Sequence, residues 1–392
     1  GYVYAITGNG NNVYIGGSFS TLGGVARTSL GAVNSVTGVT TSFDPVVQYN
    51  GSQGYVYALA FDTASSLLYT GGLFTTVKNT ARNNVASLNT SAGLQAWNPN
   101  ANATVNALAI STSAVYIGGN FTTLNGATVR NRLASVNKTN GTALAFNPYM
   151  NSYVNCLKIS GNSLYAGGYF TTVNNGASTR NYLASYNVTS GALNTWNPNA
   201  GYIVLGITAV ADTVFPGGYF QTLNGSPHVY IAGIRGAAGT LFLPFNPAPN
   251  NIVRATYSSE RNLLAGGSFN VINGKSRGGF AVYKLAGSTF ASSIAEQIVS
   301  QDMIIKKPET QFMIYPNPAK NETVTLQLTS SISGRYAVVI SMVNGKQVFN
   351  QSYEGYKDKT IKLNVASLQN GTYIVNVINE KINWTGKLVI GK

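Results

Sequence analysis

A doublet of glycines recurs six times in this chain. The doublets begin at residues 16, 71, 118, 167, 217 and 266, at spacings of 55, 47, 49, 50 and 49 residues. Each closes an apolar run, and a phenylalanine stands two residues after it, as Phe19, Phe74, Phe121, Phe170, Phe220 and Phe269. A strand-rich period of about 40 to 55 residues is the mark of a β-propeller blade. One such sheet cannot bury both faces alone, whereas a closed ring of copies can.

The third unit shows the grammar. Residues 105–110 alternate and read as an inner strand. Residues 114–119 form a second strand ending in the doublet, and 132–137 a third. A Lys-Thr-Asn-Gly turn leads to a fourth at 143–146, closed by Asn147-Pro148. The doublet admits a bend or close approach that a side chain would block. The aromatic before each Asp-Pro or Asn-Pro, Phe43, Trp97, Phe146, Trp196 and Phe245, is expected to fill the gap between neighbouring sheets. The sixth unit has no clear Phe-Asn-Pro segment, and Ser288-Thr289-Phe290 is its stand-in.

These residues carry a resemblance. Gly-Gly-x-Phe-Thr-Thr-Leu/Val-Asn-Gly, then Arg-Asn-x-Leu-Ala-Ser-x-Asn, then Trp/Phe-Asn-Pro is similar to the delta-60 repeat family of bacterial propellers over residues 1–285. Kelch propellers share the diglycine, but their later Tyr and Trp spacing is not evident. The resemblance implies a six-bladed β-propeller of the all-β class. It implies little about activity beyond a surface or secreted location.

The repeat stops after residue 285. Residues 286–310 read as a linker with a short helix around 291–300, and 311–392 as seven short strands, an immunoglobulin-like β-sandwich. Within that segment Tyr315-Pro316-Asn317-Pro318, Asn344-Gly345-Lys346, Gly371-Thr372-Tyr373 and Lys387-Leu388-Val389-Ile390 occur in order. Taken singly, Asn-Pro and Asn-Gly are turn formers anywhere. The ordered set closely resembles the type A C-terminal sorting domain of the type IX secretion system. That resemblance implies a Bacteroidota source and export through periplasm and outer membrane. The implied partners are the translocon pore, a shuttle protein and a sorting protease that removes the domain. The cargo is then released or attached to surface lipopolysaccharide. The chain begins at Gly1 without Met or an apolar leader and is read as a mature or trimmed form.

Composition narrows the function. Net charge is +14, but it is dispersed, with fourteen Lys and Arg against four acids (Asp44, Asp62, Asp212 and Glu260) in 1–285. No basic cluster or zinc-knuckle spacing is present, so nucleic acid is not an expected partner. No apolar run reaches the roughly 18 residues of a membrane helix. The lone Cys156 stands where sister units carry Ala58 and Ala107 and reads as a small buried side chain.

Four acids over six units and a single histidine, His228, support neither a carboxylate pair, a Ser-His-Asp triad nor a histidine metal site. No catalytic residue, metal or cofactor is expected. Arg27, Arg82, Arg130, Arg180 and Arg277 occupy equivalent places before the third strand, with His228 at that place in the fifth unit. Such a ring either binds an anionic polysaccharide or acidic partner, or is structural, each Arg spanning a blade junction by bonding carbonyls and stacking on an aromatic. Tyr149, Tyr153, Tyr169, Tyr202 and Tyr219 fall near loops or strand ends, where rings stack on sugars or pack between blades. Asp62-Thr63-Ala64 and Asp212-Thr213-Val214 resemble the Bacteroidota O-glycosylation signal, with Thr63 and Thr213 as acceptors; the plain alternative is a polar turn.

The expectation is a secreted or surface binding protein of adhesin-like or gliding-associated character. A scaffold with protein partners only is the second reading, and a polysaccharide-active enzyme the third.

Overall fold

The computed structural model describes residues 1–259, 262–284, 312–328, 332, 334–342, 346–355, 360–379 and 383–391. The expected linker and its helix, the Ser288-Thr289-Phe290 stand-in, Glu260 and Gly345 lie outside the described residues. The chain divides into two compact units, Gly1–Ile298 and Val299–Lys392. Every described element is a β-strand.

The first unit is built from six antiparallel three-stranded sheets, one per glycine doublet. Sheet 1 comprises Tyr2–Gly8, Asn12–Ser18 and Leu30–Asn34. Sheet 2 comprises Tyr55–Asp62, Leu67–Leu73 and Val85–Asn89. Sheet 3 comprises Val105–Ile110, Ala114–Gly119 and Leu133–Asn137. Sheet 4 comprises Val154–Ser160, Ser163–Gly168 and Leu183–Asn187. Sheet 5 comprises Val204–Val210, Thr213–Gly218 and Ile234–Arg235. Sheet 6 comprises Val253–Ser258, Asn262–Gly267 and Phe280–Lys284.

The expected fourth strand is reduced to a single bridge in sheets 1 to 5, for example Val136 with Ala143. The segment turns away at once because the Pro that follows cannot donate a ladder bond. A short hairpin ribbon, such as Thr123–Leu124 with Thr128–Val129, instead occupies the stretch after each Phe, and in the second repeat it joins Val47–Tyr49 and Ser52–Gln53 in a four-stranded sheet.

The core lies between the sheets rather than inside any one of them. Tyr14, Leu30 and Phe43 share one cluster with Val56, Leu68 and Phe74 of sheet 2. Tyr69, Val85 and Trp97 likewise share one with Val105, Ile117 and Phe121 of sheet 3. The same arrangement joins sheets 3 to 4, 4 to 5 and 5 to 6. The phenylalanine after each doublet is buried in all six units. The aromatic before Asn-Pro meets an aromatic of its own second strand edge-on: Tyr69–Trp97 at 4.9 Å, Tyr165–Trp196 at 5.0 Å. The indole NH of Trp97 donates to Asn137 O of the next sheet at 2.9 Å, and that of Trp196 to Arg235 O at 3.1 Å. The expected gap-filling role holds for both indoles, which reach across the junction.

The two glycines of a doublet have different tasks. A β-bulge interrupts every first strand opposite the doublet, between Val105 and Ala107 in sheet 3. A Cβ on the second glycine would stand only 1.9–2.2 Å from a carbonyl oxygen at that bulge. A Cβ on the first, Gly16, Gly71, Gly118, Gly167 or Gly217, would stand 2.5–2.7 Å from Cγ1 of Val56, Val105, Val154, Val204 or Val253 in the following sheet. One glycine therefore admits the bulge and the other seats the neighbour's valine.

The second unit pairs a three-stranded sheet, Phe312–Tyr315, Thr323–Leu328 and Thr360–Asn364, with a four-stranded one, Gln347–Gly355, Gly334–Met342, Gly371–Ile378 and Asn383–Ile390. Inward residues of both, among them Leu326, Leu363, Val338 and Val375, form one core, as two facing antiparallel sheets require.

Candidate functional site

The six repeated cationic positions come first. Each arginine is half-buried. Arg82 donates from Nη1 to Ala81 O and from Nη2 to Gln95 O, both at 2.8 Å. Arg130 repeats this with Val129 O and Leu144 O at 2.8 and 2.6 Å, and Arg180 with Thr179 O and Asn194 O, both at 2.9 Å. Arg27 does the same with Ala26 O and Thr41 O, and lies 3.7 Å from Asp44. Arg277 donates to Ser276 O at 2.9 Å. His228, in the fifth unit, is buried. Carbonyl bonding is thus the common pattern, but each bond stays within its own unit rather than crossing a junction. The guanidinium ties the ribbon to the segment that has lost its fourth strand.

A different set of side chains gathers where the first strands begin. Tyr153 and Tyr169 stand 5.9 Å apart, ring edge to face, Tyr182 and Tyr202 5.7 Å apart, and Tyr202 and Tyr219 6.4 Å apart. The Arg132 guanidinium lies 5.2 Å from the Tyr153 ring centre. At the same strand ends of sheets 1 and 2, Tyr4 packs on Tyr57 at 5.1 Å and Tyr55 on Tyr57 at 6.0 Å. Of the tyrosines singled out from sequence, Tyr149, Tyr153, Tyr169 and Tyr202 are exposed and Tyr219 is half-buried.

The backbone explains why these groups meet. The residue two after each repeated cation has positive φ in every unit: Ser29, Asn84, Arg132, Tyr182, Tyr230 and Gly279, between 62° and 76°. The left-handed turn aims its side chain at the next sheet, since Ser29 Oγ donates to Gly54 O and Asn84 Nδ2 to Ala101 O. In units 3 and 4 the same position carries Arg132 and Tyr182, which reach Tyr153 and Tyr202. Sequence reading placed Arg132 inside a strand and missed this. The signal was present as a position that varies widely beside an almost constant cation. Between sheets 2 and 3 these strand ends border an open cavity of about 400 Å³ lined by Tyr49, Asn50, Asn83, Asn84, Asn102 and Thr104 among others.

This arrangement offers exposed aromatic faces, amides and one stacked cation. Among the described residues no group of three or more His, Cys, Asp or Glu could hold a metal. Asp62 is buried and joins sheets 2 and 3 through Lys138 Nζ at 2.8 Å. Burial opposes its ionisation, yet Lys138, the Ser65 hydroxyl and the Ala64 NH outweigh that and hold the carboxyl below its ordinary value. Its contribution to stability is complete above the unfolded-state value and is lost as pH falls through the lower folded one. Asp62→Asn is expected to cost about 1–3 kcal/mol at pH 7, with the gap to the parent closing below about pH 4. Equal urea midpoints at pH 7 would contradict this.

The two glycosylation candidates separate. Thr63 is exposed, whereas Thr213 is wholly buried and offers no accessible hydroxyl in the folded chain. Cys156 is buried, and burial raises its thiol above the usual range.

In the second unit the sequence marks meet through the backbone of the last strand. Asn317 Nδ2 donates to Lys387 O at 2.7 Å, and Asn317 Oδ1 accepts from Val389 NH at 2.8 Å. The Tyr373 hydroxyl donates to Gln369 O at 2.9 Å, four residues upstream. Pro316 and Pro318 flank Asn317, and Gly371 opens the strand that carries Tyr373. Residues 313–391 match the family model of the secretion system C-terminal sorting domain.

The second unit is a type IX sorting domain. A chain that carries this sorting domain is marked for export to the cell surface or the extracellular space. Among the described residues no helix is long and apolar enough to cross a membrane. A search of curated proteins finds no match. Among solved structures, the chain is similar to the computationally designed Ika8 protein at 14% identity and a TM-score of 0.46, over 99% of this chain and 96% of that one. It is also similar to an extracellular domain from B. thetaiotaomicron at 10% identity and a TM-score of 0.44, over 100% of this chain and 49% of that one.

Proposed function

We propose that the chain is a secreted or surface-attached binding protein. In this reading its six sheets are blades of a delta-60-like β-propeller, and its tyrosine-bearing strand ends take a polysaccharide. It binds without turning its ligand over. The sorting domain supplies delivery, through contacts with the pore, the shuttle protein and the sorting protease of the type IX machinery. An adhesin or gliding-associated role is the cellular form that this reading takes.

The observation that carries the ligand class is the run of tyrosines across sheets 4 and 5, joined at its sheet-3 side by Arg132. Sugar rings present C–H faces that stack on exposed aromatics, and amides serve their hydroxyls. Arg132 favours an acidic sugar. The repeated arginines and Arg132 all donate to backbone carbonyls, Arg132 Nη1 to Asn120 O. Arg132 also lies over the exposed Tyr153 ring, so the anion preference rests on Arg132 rather than on the ring of six positions.

The test is binding of the full chain to polygalacturonate, hyaluronan and dextran at low and moderate salt. Tyr202→Ala is expected to weaken binding about tenfold, or about 1.4 kcal/mol. Arg132→Ala is expected to reduce affinity for the acidic polymers and flatten the salt dependence. Arg130→Ala is expected to lower stability and leave the affinity of the folded fraction unchanged. Binding to none of the polymers at either salt would move the reading to protein partners alone.

A further inference from the structure

The longest interval between glycine doublets, 55 residues from Gly16 to Gly71, contains an insertion. Val105, Val154, Val204 and Val253 each stand six residues after a proline, Pro99, Pro148, Pro198 or Pro247. Val56 stands eleven residues after Pro45, so this stretch is five residues longer. The extra length folds as a hairpin of Val47–Tyr49 with Ser52–Gln53. Its turn is Asn50-Gly51, with φ of 48° and 79°. Asn-Gly with both φ positive is a favoured two-residue hairpin turn.

The hairpin is fastened to the ribbon of the second repeat. Val47 and Gln48 pair with Val77 and Thr76. Thr75 NH donates to Gln48 O at 2.8 Å, and Asn50 NH to Thr75 Oγ1 at 2.9 Å. Among the described residues every other ribbon is two-stranded. The junctions in units 3 to 6 are built without such a hairpin, so packing between sheets does not require it.

The hairpin tip, Tyr49 and Asn50, lines the open cavity of about 400 Å³ together with Phe74, Asn83, Asn84 and Thr104. That volume lies toward the lower end of the roughly 300–1,000 Å³ of small-molecule sites. Asn84 is committed to the fold: it is buried, its Nδ2 donates to Ala101 O at 2.8 Å, and its Oδ1 accepts from Phe74 NH at 3.3 Å. The Asn50 side-chain amide and the Tyr49 and Thr104 hydroxyls differ, since none of them bonds a described residue. No side chain lining the cavity carries a charge.

We propose that this cavity is a second binding site, for an uncharged sugar unit. Its open amide and hydroxyls both donate and accept, as sugar hydroxyls do. The Tyr49 ring, 37% exposed, offers a face to the C–H side of a pyranose. A carboxylate or phosphate would enter with no cation to meet it, and an ammonium with no anion. The inference stands on the lining of this cavity and not on the tyrosines of sheets 4 and 5, so either can fail alone.

Ligand-detected NMR titration of the full chain supplies the test. The probes are D-glucose, D-galactose, D-mannose and N-acetyl-D-glucosamine, beside D-glucuronate and D-galacturonate. At least one neutral sugar is expected to bind with an affinity that salt does not change, and the uronates at least tenfold more weakly. Tyr49→Ala is expected to weaken the neutral sugar at least tenfold. Thr104→Val keeps the shape, removes one hydroxyl, and is expected to weaken it about three- to tenfold. Circular dichroism confirms the fold of each variant. Binding of no neutral sugar, a preference for the uronates, or neutral-sugar binding that survives Tyr49→Ala overturns the proposal. Neutral-sugar binding that falls with Tyr202→Ala but not with Tyr49→Ala also overturns it, and returns that sugar to the tyrosine run. Polygalacturonate still held through Arg132 in any of these cases leaves the first reading intact.

Discussion

Replacing Phe121 with alanine lowers the stability of the repeat unit by about 3–5 kcal/mol. Phe121 has no exposure and packs with Tyr69 and Trp97 of sheet 2 as well as Val115 and Ile117 of its own sheet. Its backbone oxygen also accepts from Arg132 NH at 2.9 Å, which fixes the left-handed residue that presents Arg132. The cavity thus opens inside a junction, where two sheets must move together to fill it. For a unit of this size the loss corresponds to about 5–8 °C in melting temperature. Calorimetry of the full chain checks it. A loss under about 1 kcal/mol would mean that the junction repacks freely, and the wedge assigned to this phenylalanine would be wrong.

Gly119→Ala lowers stability by about 2–3 kcal/mol, while Gly266→Ala changes it by less than about 0.5. Both are glycines of the repeated doublet, Gly119 the second of its pair and Gly266 the first. At Gly119 the new methyl would stand 2.1 Å from Thr104 O, a backbone atom that moves only if the bulge itself is undone. At Gly266 it would meet nothing closer than 4.0 Å. Urea titration of the two variants beside the parent reads the difference directly. Equal losses would show that the carbonyl contact at the bulge adds nothing to the cost of replacing a doublet glycine.

The candidate site was only partly legible. Tyr153, Tyr169, Tyr202 and Tyr219 stood out because they fall next to doublets or strand starts. Their mutual stacking did not, because it joins residues 16 to 20 positions apart, across a hairpin for Tyr153–Tyr169 and Tyr202–Tyr219 and between sheets for Tyr182–Tyr202. Arg132 and Tyr182 were hidden for a local reason. A left-handed residue just before a strand reads as part of it, and the choice of Arg or Tyr there breaks no pattern of hydrophobicity. The repeated arginines were legible as a set, but their partners were not. Their carbonyl acceptors lie 13 or 14 residues downstream in the same unit, on a segment expected to be a regular strand.

The sequence by itself determined the six-fold repeat, the place of each doublet and its buried phenylalanine, and the sorting domain with its ordered motifs. These are properties of local pattern: strand alternation, glycine where a side chain cannot fit, proline where a ladder must stop. Only the tertiary structure decided that the core lies in the junctions and that the first glycine seats the neighbour's valine. The physical reason is that each sheet is too thin to bury its own apolar faces. What a repeated residue does therefore depends on whether another sheet lies against it, and neighbouring residues in the chain carry no record of that.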